Sequence, residues 1–181
     1  QGVLLDEWHG FHPHTTWSDC TPGNARRILE GLGLEARVTG VLRAFATRHG
    51  AGPFPSERDD CSFLAAGDHN LSSPWQGAFR VGPFDAVLAR YALRAAGGVD
   101  ALAVTCVDRL ASWGDTVPYC ASYDSSSLEE GIVDASGESI FAGVPSQDRQ
   151  ERLGRALGRA RPRLSWIEHS GPLRCEGTAR A

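Results

Sequence analysis

The chain has no lysine and no methionine in its 181 residues. All 18 basic side chains are therefore arginines, which offer carboxylates and phosphates a planar, permanently charged fork but no titrating amine. No Cys-x-x-Cys pair occurs. The five cysteines stand at 20, 61, 106, 120 and 175, an odd count with neither zinc-ribbon nor disulfide-framework spacing, so reduced thiols in a cytoplasmic setting are expected. No apolar run is long enough to cross a bilayer, and no signal peptide is visible, so a membrane role is not expected. There is no long basic run, and the formal net charge is −4. General nucleic-acid binding, which needs a concentrated cationic face to displace counterions, is not expected either.

What is present suits one globular domain. The hydrophobic share is 41%, enough to fill a core. The first residue is Gln1, and the chain enters at once an apolar run, Val3-Leu4-Leu5, read as a short buried strand; a cut inside a larger protein is expected. Ala25, Ile28, Leu29 and Leu32 recur at helical spacing and predict a helix over Asn24–Leu32, ended by Gly31 and Gly33. Val38–Thr47 is apolar and fits a strand or a helix equally. Asp85–Ala96 reads as a helix capped by Asp85, with Val87, Leu88, Tyr91, Ala92 and Ala95 on one face. Gly97-Gly98 stops it, and Val99–Thr105 follows as a buried strand, half of a parallel crossover unit. Val117–Tyr123 and Leu164–Ile167 read as further strands, Ser125–Gly143 as a surface excursion, and Asp148–Ala160 as an Arg-rich amphipathic helix. The expected fold is an α/β domain of open, mostly parallel strands, with ligands at the strand C-terminal ends.

Several clusters carry chemistry. His9, His12 and His14, with Asp19 and Cys20, are residue types that ligate zinc, but their spacing matches no strong zinc pattern. They fit a polar loop with solvated histidines. Thr15, Thr16 and Ser18 add hydroxyls beside loop N–H groups, which suits a phosphate. Gly50-Ala51-Gly52-Pro53-Phe54-Pro55 is a rigid loop of the kind that lets backbone approach a ligand closely. Arg80 suits a carboxylate, or a solvated surface position. Asp108 follows a strand, in the run Thr105-Cys106-Val107-Asp108. Cys106 beside it reads as a small packed residue, with no charged partner evident to activate it.

Gln1-Gly2, Leu5-Asp6, His9-Gly10, Pro13, Thr16 and Ser18, followed by Arg48-His49-Gly50-Ala51-Gly52-Pro53-Phe54-Pro55-Ser56-Glu57, resemble the C-terminal part of adenylosuccinate synthetases. The likeness continues through Arg80–Asp108, and Ser170-Gly171-Pro172 is similar to the family's S-x-G-P segment. The Trp75-Gln76-Gly77-Ala78-Phe79-Arg80-Val81-Gly82 run resembles the compact branch found in archaea and some viruses. The resemblance implies a P-loop-related fold, with residues 1–181 one partial domain whose N-terminal phosphate-loop half is absent. Without lysine, the chain cannot carry the family's G-D-E-G-K-G-like loop. It further implies inosine monophosphate (IMP) contacts at Gln1, Leu5, Thr16, His49 and Gly50, and an aspartate contact at Arg80. GTP contacts are implied at Cys106, Asp108, Ser170, Gly171 and Pro172. The catalytic acid and base, and the Mg2+ ligands, are implied to lie in the missing half.

The implied reaction is a carbon–nitrogen ligation in AMP biosynthesis. GTP phosphorylates the purine 6-oxygen, and aspartate then displaces phosphate at C6. Purine nucleotide, nucleoside triphosphate and aspartate are the implied partners, with a homodimer as the assembly. The fragment alone is expected to be inactive. Cys106 stands where the family usually has lysine, which leaves ATP use open. The compact-branch likeness leaves open a ligase acting on a guanine nucleotide to give 2-aminoadenylosuccinate. A noncatalytic nucleotide-binding protein is the reading from a different class.

Overall fold

A computed structural model describes residues 2–66, 72–114 and 116–123, together with the backbone of 162–168. Among the described residues there are two helices, α1 (Gly23–Gly31) and α2 (Ala86–Ala95). The described strands are β1 (Thr39–Arg43), β2 (Ala46–His49), β3 (Phe79–Gly82), β4 (Phe84–Asp85), β5 (Ala101–Thr105), β6 (Thr116–Tyr123) and β7 (Pro162–Glu168). β1 pairs with β5 and β4 with β6 in parallel. β2–β3 and β6–β7 are antiparallel. The architecture is mixed α/β with parallel pairings, as the sequence predicts.

The parallel pair β1–β5 forms the frame for one end of the molecule. Asp100 fastens its entry, its Oδ2 accepting from the Val38 N–H at 2.6 Å. At the other end the Thr105 hydroxyl donates to the Leu42 carbonyl at 3.1 Å, and Ala44 N–H donates to Thr105 at 2.9 Å. Both strands therefore deliver their C-terminal ends side by side, at Ala44 and Cys106. The ambiguous Val38–Thr47 run is resolved as two strands, β1 and β2. They split at Ala44-Phe45, where the chain leaves one sheet for another and Phe45 drops into the core. That core holds Phe45, Cys61, Leu64 and Val81, with Phe63, Phe79, Cys106 and Trp113 against it. Phe63 meets Trp113 edge to face, ring centroids 5.6 Å apart. Two 3-10 turns, Asp59–Ala65 and Val107–Trp113, supply much of this packing.

The expected strand at Val3–Leu5 is instead a single 3-10 turn. Three apolar residues do not distinguish the two, and here Leu5 N–H returns to the Gly2 carbonyl rather than to a neighbouring strand. The helix expected at Asn24–Leu32 is α1, yet Ile28 and Leu32 stay about two-thirds exposed. Val41 and Val104, on β1 and β5, are also more than half exposed. Parallel strands normally have both faces covered, so this apolar surface suits a part of a larger sheet protein. The expected Ser125–Gly143 excursion and Asp148–Ala160 helix lie outside the described residues.

α2 starts as the sequence predicts. Asp85 accepts from the N–H groups of Val87 and Leu88, both at 3.0 Å, and its second oxygen accepts from the Tyr123 hydroxyl at 2.9 Å. The carboxylate is 4% exposed. Burial pushes its pKa above the ordinary 3.8, against these three hydrogen bonds. A raised folded-state pKa contributes stability at low pH that is lost as pH rises through that value. Asp85→Asn keeps the cap and an acceptor while removing the buried charge. Relative to the native chain it should therefore be more stable at pH 7 than at pH 3, as read by urea unfolding at both.

Candidate functional site: three loops on one ladder

The site grows from Asp6. Its side chain is fully buried, and it accepts from Trp8 N–H at 2.7 Å, His9 N–H at 3.1 Å and Cys20 N–H at 2.6 Å. One carboxylate thus closes the loop between Asp6 and Cys20. Gly10 fits beneath it because a Cβ there would stand 2.5 Å from the Asp6 carbonyl oxygen. Phe11, 1% exposed, anchors the loop against Tyr91 of α2, whose hydroxyl donates to the His9 carbonyl at 2.5 Å. The histidines are used separately. His9 Nδ1 meets Asp6 at 3.2 Å, and His12 Nε2 donates to the Glu7 carbonyl at 3.0 Å.

The outcome is the presentation of two hydroxyls. Thr16 donates to the Leu5 carbonyl through both its N–H (2.8 Å) and its hydroxyl (3.1 Å), so those two predicted residues are brought together. The Thr16 and Ser18 hydroxyls lie 2.9 Å apart on an exposed surface. Two adjacent hydroxyls on a fixed loop are a reasonable seat for phosphate oxygens.

The second loop, residues 48–57, is tied to the first through Arg48. Arg48 Nε donates to Ala51 at 3.0 Å, and Nη2 to the His14 carbonyl at 3.3 Å. Gly52, at φ +112°, leaves the space Arg48 fills: a Cβ there would meet Arg48 Nη2 at 2.2 Å. Gly50, at φ +69°, lies against the third loop, residues 72–78, where its Cβ would stand 2.7 Å from the Gln76 carbonyl oxygen. The rigid loop of the sequence reading is thus a close backbone crossing. His49 packs its ring on Phe79 at 4.8 Å, and its Nδ1 is buried without a partner.

Arg80 holds this loop from the neighbouring strand. Its Nη1 donates to the carbonyls of Gly50 and Gly52, both at 2.9 Å, and its guanidinium stacks on Phe54 at 5.4 Å. Nε and Nη2 take the two oxygens of Glu57 as a bidentate pair, the Nε bond being 2.7 Å. Arg80 is thus neither a free surface side chain nor an open fork in this state. The bond from Arg80 holds the Glu57 carboxyl below its usual range. Sequence reasoning missed two residues here. Glu57 was noticed only as the end of a motif, and Arg48, directly opposite Arg80 in the β2–β3 register, was not singled out.

The second predicted cluster lies at the C-terminal end of β5. Cys106 takes a left-handed conformation, φ 58°, which non-glycine residues adopt rarely and chiefly where the surroundings demand it. It turns the chain into the 3-10 turn that carries Asp108. The Asp108 side chain is 75% exposed and 3.5 Å from Arg109, so its carboxylate faces solvent beyond the strand ends. Cys61, by contrast, is sealed in the core, and burial pushes its thiol up to about 11, which makes it an inert packing residue. Gln1, Ser170, Gly171 and Pro172 lie outside the described residues. Among the described residues, no group of three His, Cys, Asp or Glu side chains could hold a metal ion.

Comparison with known proteins gives one family. A family model described as adenylosuccinate synthetase matches residues 1–151. The adenylosuccinate synthetase of Rhodococcus erythropolis is 38% identical over 149 residues, covering 80% of this chain and 34% of the relative. That of Rhodococcus opacus is 42% identical over 128 residues, covering 68% of this chain and 29% of the relative. The chain therefore spans about a third of the length of the curated relatives it matches. Among solved structures, the fully ligated adenylosuccinate synthetase from Plasmodium falciparum superposes with a TM-score of 0.63 at 22% identity. It covers 92% of this chain and 36% of that one, a likeness of fold.

Proposed function

The chain belongs to the adenylosuccinate synthetase family, and from that premise we propose that it is the nucleotide-positioning, C-terminal portion of a ligase joining aspartate to C6 of IMP. The observation that carries this reading is the paired Thr16 and Ser18 hydroxyls, held by the Asp6-closed loop beside the 48–57 crossing. In this proposal Thr16 takes the 5′-phosphate. The Leu5 backbone and Gln1 border the purine, and the 49–50 backbone borders the ribose. Asp108 accepts from the guanine edge of GTP beyond the ends of β1 and β5, with Ser170, Gly171 and Pro172 alongside. Strand C-terminal ends are where α/β sheets place ligands, which supports that position.

Such phosphoryl transfers rest on positioning plus electrostatic stabilisation of the moving phosphoryl group. The residues above position. Magnesium, when bound, neutralises phosphate charge, but the described residues offer it no cluster, and no step is assigned to it through them. The 181 residues alone are proposed to bind nucleotide without turnover, in a protein that works in purine biosynthesis and assembles as a homodimer.

A second reading is favoured by two departures, the Trp75–Gly82 run and Cys106 in place of a lysine. It is a ligase that takes a guanine nucleotide, with ATP as phosphoryl donor. Titrating the chain with IMP, dGMP, GTP and ATP separates the two. Preference for IMP and GTP, without turnover in the presence of aspartate and magnesium, is expected. Preference for dGMP and ATP would move the assignment to the 2-amino ligase. Binding of none of the four would reject both readings.

A further inference from the structure

The 72–78 turn is built to stay still. Ser73 and Gly77 bond to each other in both directions, the Gly77 N–H donating to the Ser73 carbonyl at 2.8 Å and the Ser73 N–H to the Gly77 carbonyl at 3.1 Å. Two serine hydroxyls close it further. Ser73 Oγ accepts from the Gln76 N–H at 3.0 Å, and Ser72 Oγ from the Phe79 N–H at 3.2 Å. Pro74 adds a fixed φ. The turn is also wedged against the second loop. The Gly50 N–H donates to the Ala78 carbonyl at 2.8 Å, and a Cβ on Gly77 would stand 2.9 Å from the Gly50 Cα. Trp75 rides at the tip of this turn and is 95% exposed.

A large aromatic held in water adds almost no burial to the fold. On a turn that is already ordered, covering it costs little further entropy. Its flat face suits another flat ring. What stands beside it identifies that ring. Trp75 is one residue, about 3.8 Å of chain, from Gln76, whose carbonyl oxygen lies against Gly50. The 49–50 backbone is where the ribose is placed above, and a purine is one bond beyond its ribose. We propose that Trp75 is the stacking platform for the purine ring of the bound nucleotide. The place of the nucleotide rests on the synthetase reading; the rigid turn and its exposed indole stand without it. A π face does not read the edge of a base. Trp75 therefore supplies affinity for any purine and leaves the choice between hypoxanthine and guanine to groups at the ring edge.

IMP, GMP and ribose 5-phosphate, which lacks the ring, are titrated against the whole chain and against Trp75→Ala, Trp75→Phe and Trp75→Leu. Urea midpoints should agree across the four, since the side chain is exposed. Trp75→Ala should bind IMP about tenfold more weakly, the scale of one lost base stack, and ribose 5-phosphate as the native chain does. GMP should lose as much as IMP. Trp75→Phe should keep most of the affinity, and Trp75→Leu should behave as alanine does. IMP, but not ribose 5-phosphate, should move the indole N–H signal that Trp75→Phe removes. Unchanged IMP affinity in a folded Trp75→Ala chain overturns the proposal. So does an equal loss for ribose 5-phosphate, or a Trp75→Leu chain that binds IMP as tightly as Trp75→Phe. The two claims fail differently. IMP binding that Trp75→Ala leaves intact sinks the stack alone, whereas a native chain that binds neither IMP nor GMP sinks the synthetase reading and the stack with it.

Discussion

Asp6→Ala should lower the stability of the chain by about 3 kcal/mol or more and abolish presentation of Thr16 and Ser18. The carboxylate takes three backbone N–H groups, from Trp8, His9 and Cys20, in a site with no exposure. Alanine leaves all three donors without that acceptor, and each costs about 1–3 kcal/mol where water cannot replace it. Asp6→Asn is the informative companion. One amide oxygen can stand in for Oδ1, which serves Trp8 and His9. The amide NH2 then faces Cys20 N–H, donor against donor, at a contact of 2.6 Å. An intermediate loss is expected, with amide signals between Trp8 and Cys20 moving first. Urea unfolding with hydrogen exchange across residues 6–20 measures both variants. Native-like stability of Asp6→Ala would show that the loop closes by other means.

Gly82→Ala is the second large effect, and its cause is space rather than backbone conformation. A Cβ on Gly82 would lie 2.0 Å from the Ser56 carbonyl oxygen and 2.6 Å from its carbon. Neither is the end of a flexible side chain, so the backbone must move. Ser56 is fully buried, and Arg58 N–H is bonded to the Val81 carbonyl at 3.1 Å just beside it. Moving residues 56–58 therefore pulls Glu57 away from Arg80. A loss of about 3 kcal/mol is expected, the scale of forced overpacking in a tight interior. Gly31→Ala is the control: no heavy atom lies within 4 Å of its Cβ position, and a change within about 0.5 kcal/mol is expected. Thermal unfolding of the two variants should separate them clearly. Equal midpoints would mean that the 54–58 segment shifts at no cost.

What the sequence makes legible is what local chemistry decides. α2 could be read because Asp85, the apolar spacing behind it and Gly97-Gly98 all lie within one short segment. β5 and β6 follow from apolar runs bounded by turn residues, but the burial expected of β5 is not met, since Leu102 to Thr105 are exposed. The Gly50–Gly52 crossing was legible as a rigid loop, because glycine and proline state their own conformational limits. Val3–Leu5 was not, since three apolar residues have no period. The two 3-10 turns that fill the core, Asp59–Ala65 and Val107–Trp113, have no repeating pattern to reveal them. The charge balance around Arg80 depends on strand register, which places Arg48 opposite it and brings Glu57 round from another loop. A reader of the sequence sees one arginine suited to a carboxylate. The structure shows that arginine already holding a resident carboxylate, with a second arginine opposite it in the ladder. For the site, Leu5 and Thr16 were each available through family likeness as nucleotide contacts. Their bond to each other, and the buried Asp6 that closes the loop, were not.

The most direct measurement of the central claim is the affinity of this chain for IMP against inosine, in the native form and in Thr16→Val. The account places the 5′-phosphate on the Thr16 and Ser18 hydroxyls, so it predicts that native chain binds IMP more tightly than inosine. Loss of one hydroxyl bond to a charged group is worth about 1.5–3 kcal/mol, so Thr16→Val should erase most of that difference and leave inosine binding unchanged. Equal affinity for IMP and inosine in the native chain, or a preference for IMP that survives Thr16→Val intact, would contradict the account.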